Sequence, residues 1–173
     1  MVDEPDDTAE VEYCREPTPK DLADLCRELN ARQARYVVIG GFAISAAGYN
    51  RRTMDVDLLI DTSLENEALV RAALDTLPDK AIREMNAGEV SEYGVVRVMD
   101  DFVVDLMKAA CSIEYAEAAA DVVVVVIDGV PIPFASPRLL WRMKKNTHRE
   151  KDAPDLYFLR EWFRARGEEP PEC

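Results

Sequence analysis

In TMDVDLLID, Asp55 and Asp57 alternate with apolar residues, and no other stretch constrains the chain as tightly. Strand residues two apart share a face, so the two carboxylates project together while Val56 and Leu58 point to the opposite, apolar side. Like charges a few ångströms apart on a half-buried surface repel, and burying either one unpaired is costly. A basic partner, a shared proton or a divalent cation has to compensate. Asp61, at the far end of the run, precedes Thr62 and Ser63 and reads as a turn residue or the cap of the next helix.

Asp105 favours the cation. It is again a lone carboxylate within an apolar run, FVVDLM. Three strand-borne carboxylates make an all-oxygen cage suited to Mg²⁺ or Mn²⁺, completed by water and phosphate oxygens. Such a site clamps a triphosphate and, with two ions bound, activates an attacking hydroxyl. The rival reading for Asp105 is an ion pair with Arg51, Arg52 or Lys108. Ahead of the aspartates, the apolar run YVVI leads into Gly40 and Gly41, where a helix begins. Backbone free of side chains can approach a phosphate there, and the helix start offers unpaired N–H donors. Gly-Gly and D-x-D are each weak signals. Joined at this spacing with a third strand aspartate, they describe a nucleotide-handling layout.

The rest of the chain predicts the frame for that layout. Thr18 as cap, Pro19 in the first turn and Asp21 at the third position open a helix in TPKDLADLCRELNARQ, whose Leu22, Leu25, Cys26 and Leu29 form one stripe. Strand YVVIG, a short small-residue helix in FAISAAGY, strand TMDVDLLID and helix LENEALVRAALDTL come next. EYGVVRVMD and DFVVDLM read as paired strands turning at Asp100-Asp101, and SIEYAEAAA as a short helix. DVVVVVIDGVPIPFA reads as two extended pieces about an Asp128-Gly129 turn. Ser136 and Pro137 start a helix in SPRLLWRMKKN, and DAPDLYFLREWFRARG is a last amphipathic helix.

This order predicts an α/β (α+β) domain with a mixed central sheet, flanking helices and a C-terminal helical pair. The expected boundaries are an acidic, flexible tail over 1–17, one domain over 18–166 with its C-terminal helical part at about 136–166, and a frayed tail over 167–173. Trp141, Tyr157, Phe158, Trp162 and Phe163 read as packing of the helix pair, not as a base-stacking platform. His148 reads as a surface residue.

Charge narrows the partners. With 34 acidic against 21 basic residues, the net charge of −13 repels nucleic-acid backbones and argues against a long nucleic acid, while leaving room for a local basic pocket. Arg51 and Arg52, just before the aspartates, either bind phosphate or neutralise carboxylates. Lys144, Lys145, Arg149 and Lys151 gather in an otherwise acidic chain, and part of that cluster must be a solvated helix face. Cys14, Cys26, Cys111 and Cys173 are widely spaced with no CxxC pair, as expected of free thiols in a reducing compartment. The longest apolar run, Val122 to Ile127, is far too short to span a membrane, and the acidic start lacks the order of a signal peptide. A cytoplasmic protein without membrane partners is expected.

Gly40-Gly41, thirteen residues, Asp55-Val56-Asp57 and then Asp105 resemble the DNA polymerase beta-type nucleotidyltransferase superfamily. Within it the chain looks most like the small prokaryotic nucleotidyltransferases related to the abortive-infection toxin group, over roughly residues 35 to 160. The run SPRLLWRMKKNTHREKDAPDLYFL, with a lysine and then K-D-x-x-D-L, belongs to that resemblance. Many active members carry Gly-Ser where this chain has Gly40-Gly41, so no hydroxyl is available at position 41.

The resemblance implies a nucleotidyltransferase-like fold and a site residue by residue. Gly40 and Gly41 would hold the triphosphate. Asp55 and Asp57 would bind Mg²⁺, and Asp105 would be a third ligand or the acceptor of a hydroxyl proton. Lys144 would lie near the phosphates, with Arg149 or Lys151 adding charge. The implied reaction moves a nucleoside monophosphate from a nucleoside triphosphate such as ATP to a hydroxyl on a protein, an RNA end or a small molecule. The alternative is an inactive member that binds nucleotide or a partner, as a sensor or toxin–antitoxin module. Activity requires the three carboxylates to converge on the Gly40-Gly41 turn. An Asp105 turned away or locked to an arginine would favour the alternative.

Overall fold

Local sequence sets most of the elements. In the computed structural model, which describes residues 14–172, Thr18 and Asp21 form a reciprocal capping box at the start of α1 (Pro19–Ala31). Leu22, Leu25, Cys26 and Leu29 of this helix are all buried, each leucine contributing roughly 2 kcal/mol. Next come β1 (Tyr36–Ile39), α2 (Gly40–Ala47), β2 (Asp55–Ile60) and α3 (Leu64–Leu74), the last capped by Ser63. Asp61 is the turn residue before that cap, accepting from Ser63 N–H at 2.9 Å and pairing with Arg35.

A 3-10 turn at Ala81–Glu84 and a short helix, α4 (Glu89–Tyr93), precede the hairpin of β3 (Val95–Met99) and β4 (Val103–Met107). Glu92 and Tyr93, read from sequence as the start of the strand, belong to α4, because Gly94 at φ +81° closes the helix before the strand begins. The short pair β5 (Ala109–Ala110) and β6 (Ile113–Glu114) takes the start of the segment expected to be wholly helical, leaving α5 as Tyr115–Ala118. The chain continues through β7 (Val122–Ile127), β8 (Val130–Ala135), α6 (Pro137–Lys144) and α7 (Ala153–Ala165).

The six main strands run in the order β3-β4-β2-β1-β8-β7. β1 is antiparallel to β2 and parallel to β8, β2 is parallel to β4, and each edge strand closes an antiparallel hairpin. The mixed sheet with flanking helices and a C-terminal helical pair matches the architecture expected from sequence. α1 packs on α3 and β8, while α2 packs on β1, β2 and α6. Four of the five C-terminal aromatics pack as expected: Phe163 meets Trp141 and Trp162 edge-on at 6.4 and 5.2 Å, and Phe158 stacks on Tyr49 just beyond α2. Tyr157 is the exception, because its position on α7 points outward to solvent.

Residues 1–13 of the expected acidic tail lie outside the described residues. Arg15 is tied down, its guanidinium donating to Asp21 at 2.6 and 2.8 Å and to Asp101 at 2.9 Å. At the other end Trp141 Nε1 donates to the Pro171 carbonyl at 3.0 Å. Cys14, Cys26 and Cys111 are free thiols, and no helix among the described residues is long and apolar enough to cross a membrane.

Candidate active site

Strand register builds the site in one row. Ile39, the last residue of β1, lies opposite Asp57; Asp57 pairs with Asp105 of β4; and Asp105 pairs with Arg97 of β3. Paired residues on neighbouring strands place their side chains on the same face, so three strands deliver two carboxylates and a guanidinium side by side. Asp55, two residues before Asp57, joins them. One oxygen from each of Asp55, Asp57 and Asp105 lies within 4.8 Å of the others.

The glycine turn closes over this row. Gly40 sits at φ +69°, and a Cβ there would lie 2.0 Å from Asp57 Oδ2. A Cβ at Gly41 would lie 2.8 Å from Thr53 Oγ1. Backbone at the start of α2 thus approaches the carboxylates as closely as only glycine allows. Gly40→Ala combines left-handed strain of about 1–2 kcal/mol with a collision against Asp57. We expect it to lower the denaturation midpoint and to abolish Mg²⁺ or Mn²⁺ binding measured by titration calorimetry.

The charges are unbalanced. Burial, then the charges of Asp55 and Asp105, push the Asp57 carboxyl up to about 8, against the pull of Lys144 and Lys151. Burial and the Asp105 charge likewise raise Asp55, against Arg97. Arg97 donates from Nε to Asp105 Oδ1 at 3.0 Å and from a terminal nitrogen to Oδ2 at 3.1 Å, and it stands 3.6 Å from Asp55. The two parts of the sequence criterion therefore separate: the carboxylates converge, and Asp105 is also held by an arginine. That arginine is Arg97 and not Arg51, Arg52 or Lys108, because only Arg97 stands opposite Asp105 in the ladder. A carboxylate has about four lone-pair sites, and a bidentate arginine engages two of them, leaving one on each oxygen for a cation. With three acidic groups around one guanidinium, the all-oxygen donor set fits a divalent ion.

The basic residues are arranged differently from a phosphate cluster. Lys144 is buried, its Nζ 3.0 Å from Asp152 and 3.1 Å from Asp155. Arg51 reaches the same Asp155, donating to Oδ2 at 2.9 Å. Its Nε lies 2.7 Å from Oδ1 but too poorly aligned for a hydrogen bond. Arg149 and the Thr147 hydroxyl donate to Asp152 at 2.8 and 2.6 Å. Burial acts to raise the Asp152 carboxyl, yet Thr147, Lys144 and Arg149 hold it down at about 2. Arg52 is exposed and pairs with Glu16 at 3.0 Å. Lys151 is exposed, and its charge reaches Asp55 and Asp57. His148 is exposed.

Of the residues singled out from sequence, Gly40, Gly41, Asp55, Asp57 and Asp105 come together. Lys144, Arg149 and Arg51 pair with Asp152 and Asp155, Lys144 still acting on Asp57 through its charge, and Arg52 pairs with Glu16. Arg97 and Thr53 were missed. The signal for Arg97 was present: a hairpin turning about residue 101 pairs positions whose numbers sum to 202, so Arg97 meets Asp105.

No family model matches the chain, and no curated protein matches it. Among solved structures, it is similar to the aminoglycoside nucleotidyltransferase ANT(2″)-Ia in complex with adenylyl-2″-tobramycin, at 16% identity and a TM-score of 0.52, over 86% of this chain and 91% of that one. The chain has a nucleotidyltransferase-type fold.

Proposed function

We propose that this protein is a Mg²⁺-dependent nucleotidyltransferase that moves a nucleoside monophosphate from a nucleoside triphosphate to an acceptor hydroxyl and releases pyrophosphate. The observation that carries the reading is the convergence of Asp55, Asp57 and Asp105 within 4.8 Å beneath the Gly40-Gly41 turn. Asp55, Asp57 and Asp105 would hold the ion, which would supply charge neutralisation for the phosphates. The Gly40-Gly41 backbone would carry the triphosphate at the start of α2. Asp105 would act as the third ligand or as the base that takes the acceptor hydroxyl's proton, and Arg97 holds its carboxylate through both oxygens. The acceptor oxygen forms the new bond to the α-phosphorus, and the bond from that phosphorus to the pyrophosphate oxygen breaks.

The acceptor classes are a small molecule, a protein hydroxyl or an RNA end; the net charge disfavours long nucleic acid. The K-D-x-x-D-L run, Lys151 to Leu156, supports placing the chain beside the toxin-type nucleotidyltransferases, and the free thiols are in keeping with a cytoplasmic setting. The test is incubation with each of the four α-labelled ribonucleoside triphosphates, Mg²⁺ and cell lysate. Label is expected on one acceptor class, and EDTA present from the start should prevent the labelling.

The Arg97–Asp105 pair favours a second reading, nucleotide binding without transfer. That reading predicts no label from any triphosphate, and binding that survives Asp55→Ala combined with Asp57→Ala.

A further inference from the structure

We infer that Thr53 supplies a phosphate-binding hydroxyl at the start of α2, a role that rests on the nucleotidyl-transfer reading of this site. Thr53, Asp55 and Asp57 are spaced two apart on the segment entering and forming β2. Both ends of that series meet the glycine turn: Asp57 lies against Gly40, and Thr53 against Gly41. Around the Cβ that Gly41 lacks, Thr53 Oγ1 would be 2.8 Å away, Cγ2 3.0 Å and Cβ 3.3 Å. The threonine side chain therefore fills the space that a side chain at 41 would take, and its hydroxyl stands at the first turn of a helix whose start has no side-chain cap. Thr53 is 8% exposed, and its hydroxyl makes one long contact, 3.5 Å to the Arg51 carbonyl. That is the outer limit for a hydrogen bond, so the proton is held weakly and can turn to a stronger acceptor. An anionic oxygen at the α2 N-terminus is such an acceptor.

The geometry makes the hydroxyl transferable. Serine at 41 collides with Thr53 in the present chain but has room once Thr53 becomes glycine. The probe is inorganic tripolyphosphate with Mg²⁺, which needs no knowledge of the base, titrated calorimetrically into the full chain, with thermal denaturation as a control. Thr53→Val, which keeps the shape and removes the hydroxyl, is expected to weaken binding about tenfold. Thr53→Ser should recover most of the affinity, Gly41→Ser alone should lose it, and Gly41→Ser with Thr53→Gly should regain it. A role confined to packing predicts the reverse for two of these, with Thr53→Val binding like wild type and the double variant remaining weak.

Wild-type affinity in Thr53→Val overturns the inference while leaving the nucleotidyltransferase reading in place. If Thr53→Val does not fold, failure of the double variant to regain affinity over Gly41→Ser overturns it. Absence of tripolyphosphate binding and of label transfer in the wild-type chain overturns both.

Discussion

Asp57→Asn is expected to reduce nucleotidyl transfer by about a thousandfold, the scale on which removal of one preorganised charge-stabilising group acts, without destabilising the ion-free protein. The two halves of this result come from one cause. The Asp57 carboxyl is raised to about 8, first by burial and then by the charges of Asp55 and Asp105. The folded chain thus retains a proton that the unfolded chain releases near the ordinary carboxylate value. Stability contributed by that proton is present in full at low pH and is lost as pH rises toward 8. Asparagine keeps the shape, has no charge to bury and removes this slope.

The measurement is chemical denaturation of both proteins at pH 6 and pH 8 without divalent ions. Wild type should lose stability between the two pH values, and Asp57→Asn should lose less. Mg²⁺ should stabilise wild type at pH 8 and leave the variant unmoved. A variant that is both less stable and fully active would show that Asp57 serves the fold and not the site.

Asp155→Ala is expected to cost about 3 kcal/mol, the lower end of the loss caused by removing one partner of a buried ion pair. Asp155 is completely buried and faces Lys144 and Arg51 together. Alanine takes one carboxylate from two cations: Arg51 loses its ion-pair partner, and buried Lys144 is left with Asp152, which also holds Arg149. In a chain of this length the loss corresponds to a midpoint shift of roughly 6–12 °C, readable by calorimetry. Arg51 begins the segment that carries Thr53, Asp55 and Asp57, so the same variant should also bind Mg²⁺-tripolyphosphate more weakly. Asp155→Asn, which still accepts hydrogen bonds, should lose less. Equal stability of wild type and Asp155→Ala would mean that the cluster adds nothing to the fold.

Much of this was legible in the chain. The capping residues Thr18 and Ser136, the glycine-to-helix turn after YVVI and the D-x-D alternation are local signals. They depend on backbone sterics and on a period of two or 3.6 residues. The basic cluster was less legible. Lys144 and Arg149 carry the charge that a phosphate site needs, but side-chain chemistry does not say which anion a cation will meet. In the fold both turn to Asp152, eight and three residues away along the chain. The short strands β5 and β6 were not legible either, since two-residue pairings leave no periodic trace.

The sequence by itself determined that two carboxylates share one strand face, that a third stands alone in another strand, and that glycines open a helix between strands. These features arise from steric rules acting over a few residues. Only the tertiary structure decided that β4 lies beside β2 in the register that sets Asp105 against Asp57, and that Arg97 completes the row. It alone placed Thr53 beneath Gly41 and turned Lys144 inward to Asp155. Strand order and register are set by how whole faces bury together, and that balance is struck between segments tens of residues apart.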